Sequence, residues 1–210
     1  MKIKRIVGCI IISSLPLLLC SCAVGIEKPE YTVLEKQDRF EVRQYPPQLV
    51  AETIVDADFE DAGNIAFKRL YSYISGNNKK KESISMTAPV SQQNLSEKIS
   101  MTAPVIQTPF EGKYAVSFLM PSKYTLETLP EPLDPSVTIK QVPAQTMAAV
   151  RYSGTWSQEK YQKQKASLEK FIQQKNLTPT ADPIFARYNP PFELWFLKRN
   201  EVLIPIKDPK

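Results

Sequence analysis

Downstream of residue 30 the chain consists of short stretches in which apolar and polar residues alternate, the two-residue period of β-strands. Phe40–Tyr45 alternates throughout, and Gln48–Val55 is rich in β-branched residues. Residues 84–90 place Ile84, Met86, Ala88 and Val90 on one face, and the same heptapeptide recurs at 99–105. The polar stretch 91–98 between the copies predicts a hairpin. Pro89 and Pro104 then fall on the non-apolar face near each strand's end, where a missing N–H is tolerated. Residues 114–120, 137–142, 146–152, 184–188 and 201–206 complete the predicted strands. Two stretches change to the helical period. In the first, Asp58 is placed to cap and Gly76 to terminate, and Phe59, Ala62, Ala66, Leu70 and Tyr73 recur at three- and four-residue steps. Phe67, Tyr71 and Ile74 widen that apolar face, with Asp61, Asn64, Lys68 and Ser72 opposite. In the second, Ser157 caps, Trp156 and Tyr161 are spaced as a hydrophobic staple, and Tyr161, Leu168, Phe171 and Ile172 form a narrower stripe.

The two halves of this pattern overlay. A gapless shift of 97 residues carries Gln44, Pro46, Gln48 and Ala51 onto Gln141, Pro143, Gln145 and Ala148. The same shift carries Phe59 onto Trp156 and Ile74 onto Phe171. Each half reads strand, strand, helix, strand, strand. Two such ββαββ units with joined sheets and a helix packed on each are the physical expectation, with a concave ligand site at their junction or in a helix–sheet groove.

Before residue 30 the pattern is different. Lys2, Lys4 and Arg5 precede an uncharged, mostly apolar run over 6–19. That run is shorter than the roughly 20 residues a membrane helix needs, and it has the flanks of a secretory signal core. Leu19-Cys20-Ser21-Cys22 follows and resembles the bacterial lipobox, with Leu three residues before Cys22 and a small residue directly before it. The resemblance implies a signal peptide over 1–21, lipidation of Cys22 (diacylglycerol on sulfur, then a further acyl chain such as palmitate) and a lipidated tether over 22–30. Two or more acyl chains anchor a protein to a bilayer stably. Ala23, where Asp would favour inner-membrane retention, points to the outer membrane facing the periplasm.

Removing that segment changes the charge. Residues 1–21 carry three of the 27 basic side chains and none of the 22 acidic ones, which leaves a net +2. The chain's pI of about 9.0 is therefore partly signal charge, and no concentrated basic patch supports nucleic-acid binding. Of three Cys residues only Cys22 would remain, acylated, so no disulfide or thiol nucleophile is expected. There is no His in the chain. With no His, no free Cys and no Gly-rich phosphate loop, no known catalytic constellation is assembled, and Gly154-Thr-Trp-Ser157 lacks the base a nucleophile elbow needs.

The repeated Met-Thr-Ala-Pro-Val segment leads to a wider resemblance. Glu41-Val-Arg-Gln-Tyr-Pro-Pro47, Lys98-Ile-Ser-Met-Thr-Ala-Pro-Val105, Tyr124-Thr-Leu-Glu-Thr-Leu-Pro-Glu-Pro132, Ser153-Gly-Thr-Trp156, Ala186-Arg-Tyr-Asn-Pro-Pro191 and Arg199-Asn-Glu-Val202 occur in order. Together they make residues 31–206 resemble the SOUL heme-binding-protein family. The resemblance implies an α+β fold, a distorted antiparallel β-barrel of two pseudo-repeats flanked by two helices. It further implies noncovalent binding of heme or another tetrapyrrole in an apolar groove beside the first helix, and no enzymatic activity. In animal members basic residues on that helix face the heme carboxylates; the corresponding positions here are the uncharged Asn64 and Ser72, with Lys68 between them and Arg69 as a neighbour. The expected ligand contacts are Lys68, Phe67, Tyr71, Asn64 and, from the aromatic loop after Pro191, Trp195. Without His, an axial iron ligand would be Tyr, Met or water. Met86 and Met101 read as core, Arg199-Asn200-Glu201 as a structural polar knot, and Lys79–Lys81 as a solvated loop. Two other outcomes stay open: an interaction or structural module that has lost its ligand, and a pocket for another amphipathic small molecule.

Overall fold

The computed structural model describes residues 26–80 and 96–209. Along the chain run β1 (Thr32–Gln37), β2 (Phe40–Tyr45), β3 (Gln48–Val55), α1 (Phe59–Ile74), β4 (Asn78–Lys79), β5 (Val105–Phe110), β6 (Lys113–Leu119), β7 (Glu131–Pro132), β8 (Val137–Val142), β9 (Gln145–Tyr152), α2 (Gln158–Gln174), β10 (Ile184–Arg187) and β11 (Asn200–Ile206). Nine strands form one sheet in the order β1-β2-β9-β11-β10-β5-β6-β3-β8, and β4 pairs separately with β7. Each neighbouring pair is antiparallel. This is an α+β fold. The closed barrel is not formed: the ladder ends at β1 on one side and β8 on the other. All six residues of β1 are exposed, so that edge has no sheet face of its own packed on a core.

β8 and β9 have the bounds of β2 and β3 displaced by 97 residues. The first strand of each half crosses over: β2 pairs with β9 and β8 with β3, in matching register, Tyr45↔Gln145 and Gln48↔Val142.

Both helices lie on one face of the sheet. Ala62, Ala66, Leu70, Tyr73 and Ile74 of α1 pack on Ala51, Val55, Val116 and Phe118. Tyr161, Leu168, Phe171 and Ile172 of α2 pack on Val42, Ala148, Val150, Val202 and Ile204. Phe59 joins the two layers, stacking 5.0 Å from Tyr161 and 5.4 Å from Phe185. Burying aromatic and aliphatic side chains of this size contributes about 1.5–3 kcal/mol each.

Several local expectations need correction. Asp58 occupies the N-cap of α1, but its side chain makes no capping bond; its carbonyl accepts from Ala62 N at 2.9 Å. Gly76 does end the helix region, with φ of +121°, a conformation open to Gly. Ser157 caps α2 by accepting from Lys160 N. Tyr71 does not widen the buried stripe of α1; it is 51% exposed. Residues 99–104 are not a strand. Thr102 bridges Glu27 in parallel, Ala103 N donates to Glu27 O, and Thr102 Oγ1 donates to Leu119 O at 2.6 Å. The segment thus spends its hydrogen bonds on the N-terminal residues and on β6, and the ladder begins only at Val105. The other predicted hairpin arm, residues 84–90 with Met86, lies outside the described residues, as do Cys22 and the signal. Glu27 is docked by these bonds, so the chain is tied to the fold before residue 31.

Candidate functional site

Three regions of this scaffold have the geometry to hold a ligand. The first is the outer face of α1. An i, i+4 spacing puts Phe67 and Tyr71 on one side of the helix. Their rings stack 5.7 Å apart and 10° from parallel, and Phe67 also meets Phe118 edge-on at 5.4 Å. The result is a flat aromatic surface, anchored at Phe67 and open at Tyr71. Asn64 and Lys68 are exposed on the same helix. Arg69 turns inward to the end of β3, donating to Ile54 O at 3.2 Å.

The second region lies between the two helices. Tyr152, Asn200 and Arg187 stand side by side on β9, β11 and β10, on the face that carries the helices. Arg187 is 7% exposed, and its guanidinium lies so close to α1 that a Cβ on Gly63 would sit 2.1 Å from Nη2. Its hydrogen bond goes from Nη2 to Gln107 Oε1 at 3.3 Å, and it makes no ion pair among the described residues. The rings of Trp156 and Phe185 lie 5.2 and 5.6 Å away. Burial pulls this guanidinium down to about 10, so it remains a cation at neutral pH. Desolvating a cation costs several kcal/mol, and cation–π contacts return about 2 kcal/mol. Tyr152 Oη, Trp156 Nε1 and Asn200 Oδ1 are buried here without a partner among the described residues. Lys198 adds a second cation 4.2 Å from the Trp156 centroid.

Over this region runs the loop 189–199. It is closed at its base by Arg199 N donating to Asn189 Oδ1 at 2.7 Å, and Lys198 Nζ donates to Pro191 O at 2.9 Å. The loop exposes Phe192 (86%), Leu194, Trp195 (59%), Phe196 and Leu197. Trp195 lies in this loop, edge-on to Phe196 at 5.6 Å and with Lys160 5.8 Å above its ring.

The third region is a cleft on the helix-free face. A cavity of 560 Å³ is lined by residues 27–30, the Pro46–Leu49 corner, Leu119–Ser122 and Tyr124–Glu127. It continues through Pro29, Gln48 and Leu119 into a smaller one of 150 Å³ over β3, β5, β6, β8 and β9. The Glu52–Lys140 ion pair lies on that floor. None of Lys68, Phe67, Tyr71, Asn64 and Trp195 lines either cavity.

The Arg199-Asn200-Glu201 knot is structural hydrogen bonding. Glu201 is fully buried and accepts from Arg43 at 2.7 and 3.2 Å, from Arg199 at 2.8 and 3.0 Å and from Tyr188 Oη at 3.0 Å. Burial alone would raise its carboxyl, but the bonds and charge of Arg43 and Arg199 outweigh it and hold the group below the usual carboxylate range. Sequence reasoning found Glu201 and Arg199 and missed Arg43, 158 positions away. It also missed Arg187, although a charged residue two positions from Phe185 on a core-facing strand parity is a signal of an unusual environment.

The first two regions differ in chemistry. Orphaned donors beside a buried cation suit carboxylates, and the Phe67–Tyr71 surface suits a macrocycle. No imidazole is present in the chain, and the described residues hold no cluster of three His, Cys, Asp or Glu able to bind a metal ion.

Comparison with known proteins identifies relatives of the chain. The human protein named heme-binding protein 2 is 26% identical over 195 residues, covering 86% of this chain and 90% of its own. Heme-binding protein 1 of Xenopus tropicalis is 24% identical over 188 residues, covering 84% and 94%. Among solved structures, the C-terminal domain of EcmrR shares the fold with a TM-score of 0.57 at 8% identity, covering 84% of this chain and 98% of that domain. A protein from Listeria innocua described as a hydrolase does so at 0.52 and 12%, covering 83% and 94%. Those two likenesses concern the fold alone. The model of the SOUL heme-binding protein family matches residues 26–205, nearly the whole described chain, and the protein belongs to that family.

Proposed function

We propose that this protein binds heme or a metal-free porphyrin noncovalently, as a binding protein and not an enzyme. The observation that carries the reading is the family match over residues 26–205. The stacked Phe67–Tyr71 surface supplies apolar contact, Lys68 and Asn64 supply polar contacts beside it, and the loop carrying Trp195 supplies further aromatic surface. Heme, when bound, brings an iron centre that this chain would meet without imidazole. The apolar surface supplies most of the affinity, and the basic side chains orient the carboxylates.

The test is a hemin titration of the full chain followed by Soret absorbance, beside Lys68→Glu and Gln48→Trp. One-to-one saturation, weakened about fivefold by Lys68→Glu, is expected, since an exposed charge pair contributes up to about 1 kcal/mol. Absence of saturable binding by hemin and protoporphyrin alike sinks the reading. A second reading is favoured by the 560 Å³ cleft, whose size is that of a small-molecule pocket: an amphipathic ligand on the helix-free face. Gln48 lines both parts of the cleft, so binding lost in Gln48→Trp and retained in Lys68→Glu would select it.

We propose further that the protein is an envelope lipoprotein anchored through acylated Cys22, on the outer membrane and facing the periplasm. The basic start, the apolar core over 6–19 and the residues around Cys22 support this. The mass of the membrane-extracted protein is expected to show loss of residues 1–21 and gain of acyl chains, and Cys22→Ser to abolish both. An unmodified mass would refute the anchor. We also read the halves as repeats of one ββαββ unit, supported by their equal displacement and register. A Cα superposition of 40–74 on 137–171 that fails to overlay strands and helix would end that reading.

A further inference from the structure

We propose that the interhelix site at Arg187 is a receptor for a single carboxylate, held by the Arg187 guanidinium, the Trp156 indole N–H and the Tyr152 hydroxyl. Three independent observations converge there. Arg187 is a buried cation whose hydrogen bonding among the described residues is limited to a neutral amide at 3.3 Å. Two donor atoms from its neighbours, Trp156 Nε1 and Tyr152 Oη, are themselves buried without a partner among the described residues. Lys198, 4.2 Å from the Trp156 ring centroid, adds positive charge with its ammonium already directed to Pro191 O. Buried polar groups are nearly always paired, so two donors without a partner among the described residues, beside a cation with no ion pair among them, point to a further acceptor. The missing partner must accept hydrogen bonds and carry negative charge. A carboxylate meets both needs and matches the planar fork of a guanidinium. Asn200 Oδ1, also without a partner among the described residues, is an acceptor and disfavours a second anion there.

The surroundings indicate what bears the carboxylate. The loop 189–199 exposes Phe192, Leu194, Trp195, Phe196 and Leu197 next to the site. An anionic head with an apolar body would bury both its charge and this surface. A tetrapyrrole propionate has that chemistry, and so does a free small carboxylate without the body. The first assignment rests on the proposed tetrapyrrole function; the site itself does not.

The test reads the Trp156 indole N–H directly. In a proton–nitrogen correlation spectrum of the full chain, the two indole signals are assigned with Trp156→Phe and Trp195→Phe. Sodium acetate is titrated against sodium chloride at equal ionic strength, and in parallel protoporphyrin IX against its dimethyl ester. A saturable shift of the Trp156 signal with acetate, lost in Arg187→Met, is expected. So is affinity for protoporphyrin IX about tenfold or more above that for the dimethyl ester, the scale of a charge-assisted buried bond. A shift with acetate while no porphyrin binds keeps the site as a receptor for small carboxylates and places the failure on the tetrapyrrole reading. A Trp156 signal unmoved by acetate and by protoporphyrin IX overturns the site. Equal shifts and affinities for protoporphyrin IX and its dimethyl ester overturn carboxylate recognition, even though tetrapyrrole binding would then stand.

Discussion

Glu201 and Arg187 are both buried charges on neighbouring central strands, and they face opposite sides of the sheet with opposite fates. Glu201 has two guanidiniums and a phenol around it. Removing its charge leaves Arg199 without its counter-ion and Arg43 with Glu41 alone. Glu201→Gln is therefore expected to lower unfolding stability by about 3–5 kcal/mol, the cost of breaking a buried ion pair, measured from urea midpoints at pH 7. Because the folded carboxyl is held below its ordinary value, its contribution is present above the unfolded pKa of about 4.3. It is lost as pH falls through the folded value. The gap between wild type and Glu201→Gln should narrow as pH falls below the unfolded pKa; a gap that stays constant would show that the carboxyl's charge is not what stabilises. The acidic member of this knot was legible from its setting among polar neighbours. Its main partner was not, because Arg43 alternates with apolar residues on β2 exactly as a solvent-facing residue would, and only the β2–β9–β11 ladder order brings it beneath Glu201.

At the scale of elements, strand bounds were most legible where alternation is cleanest. Phe40–Tyr45, Gln48–Val55 and Val137–Val142 form the predicted strands to the residue. β1 escaped notice because both of its faces are exposed, which leaves no period to read. The segment 99–104 misled for the reverse reason: Ile99 and Ala103 are buried, but through docking on α1 and the N-terminal residues and not through a ladder. On α1 the predicted stripe held, while Gly63 passed as a gap in it. Its missing Cβ is what admits Arg187. Gly63→Ala should gain about 1 kcal/mol of helix propensity and lose about 1–3 kcal/mol to overpacking against the guanidinium, for a net destabilisation in urea. With Arg187→Ala as background the same substitution should become stabilising, a sign reversal that a double-mutant cycle measures. Additive effects would mean that Arg187 moves aside freely.

For the molecule as a whole, the number of helices, their placement against a large antiparallel sheet and the family were all readable from one chain. The openness of the sheet was not, since alternation specifies faces and says nothing about whether the two outermost strands meet. Of the expected ligand contacts, Phe67, Tyr71, Asn64 and Lys68 share α1, as the helical period predicts, whereas Trp195 belongs to a loop whose neighbours are α2 and Trp156. What sequence spacing cannot express is the row Tyr152–Asn200–Arg187, assembled from three strands.

The crossed placement of β2 and β8 bears on how the protein is made. While the first half is emerging from a ribosome, β2 has only β1 beside it, the outer edge of β3 is bare until Val142 has been added, and β5 waits for β10. Every strand of that half is present, but its sheet cannot be completed, and exposed ladder edges invite pairing with other chains. Commitment to the native state therefore belongs to the last stretch of synthesis, after β11 has been delivered to sit between β9 and β10. Until that moment the open edges of β2, β3 and β5 remain available to pair with other chains.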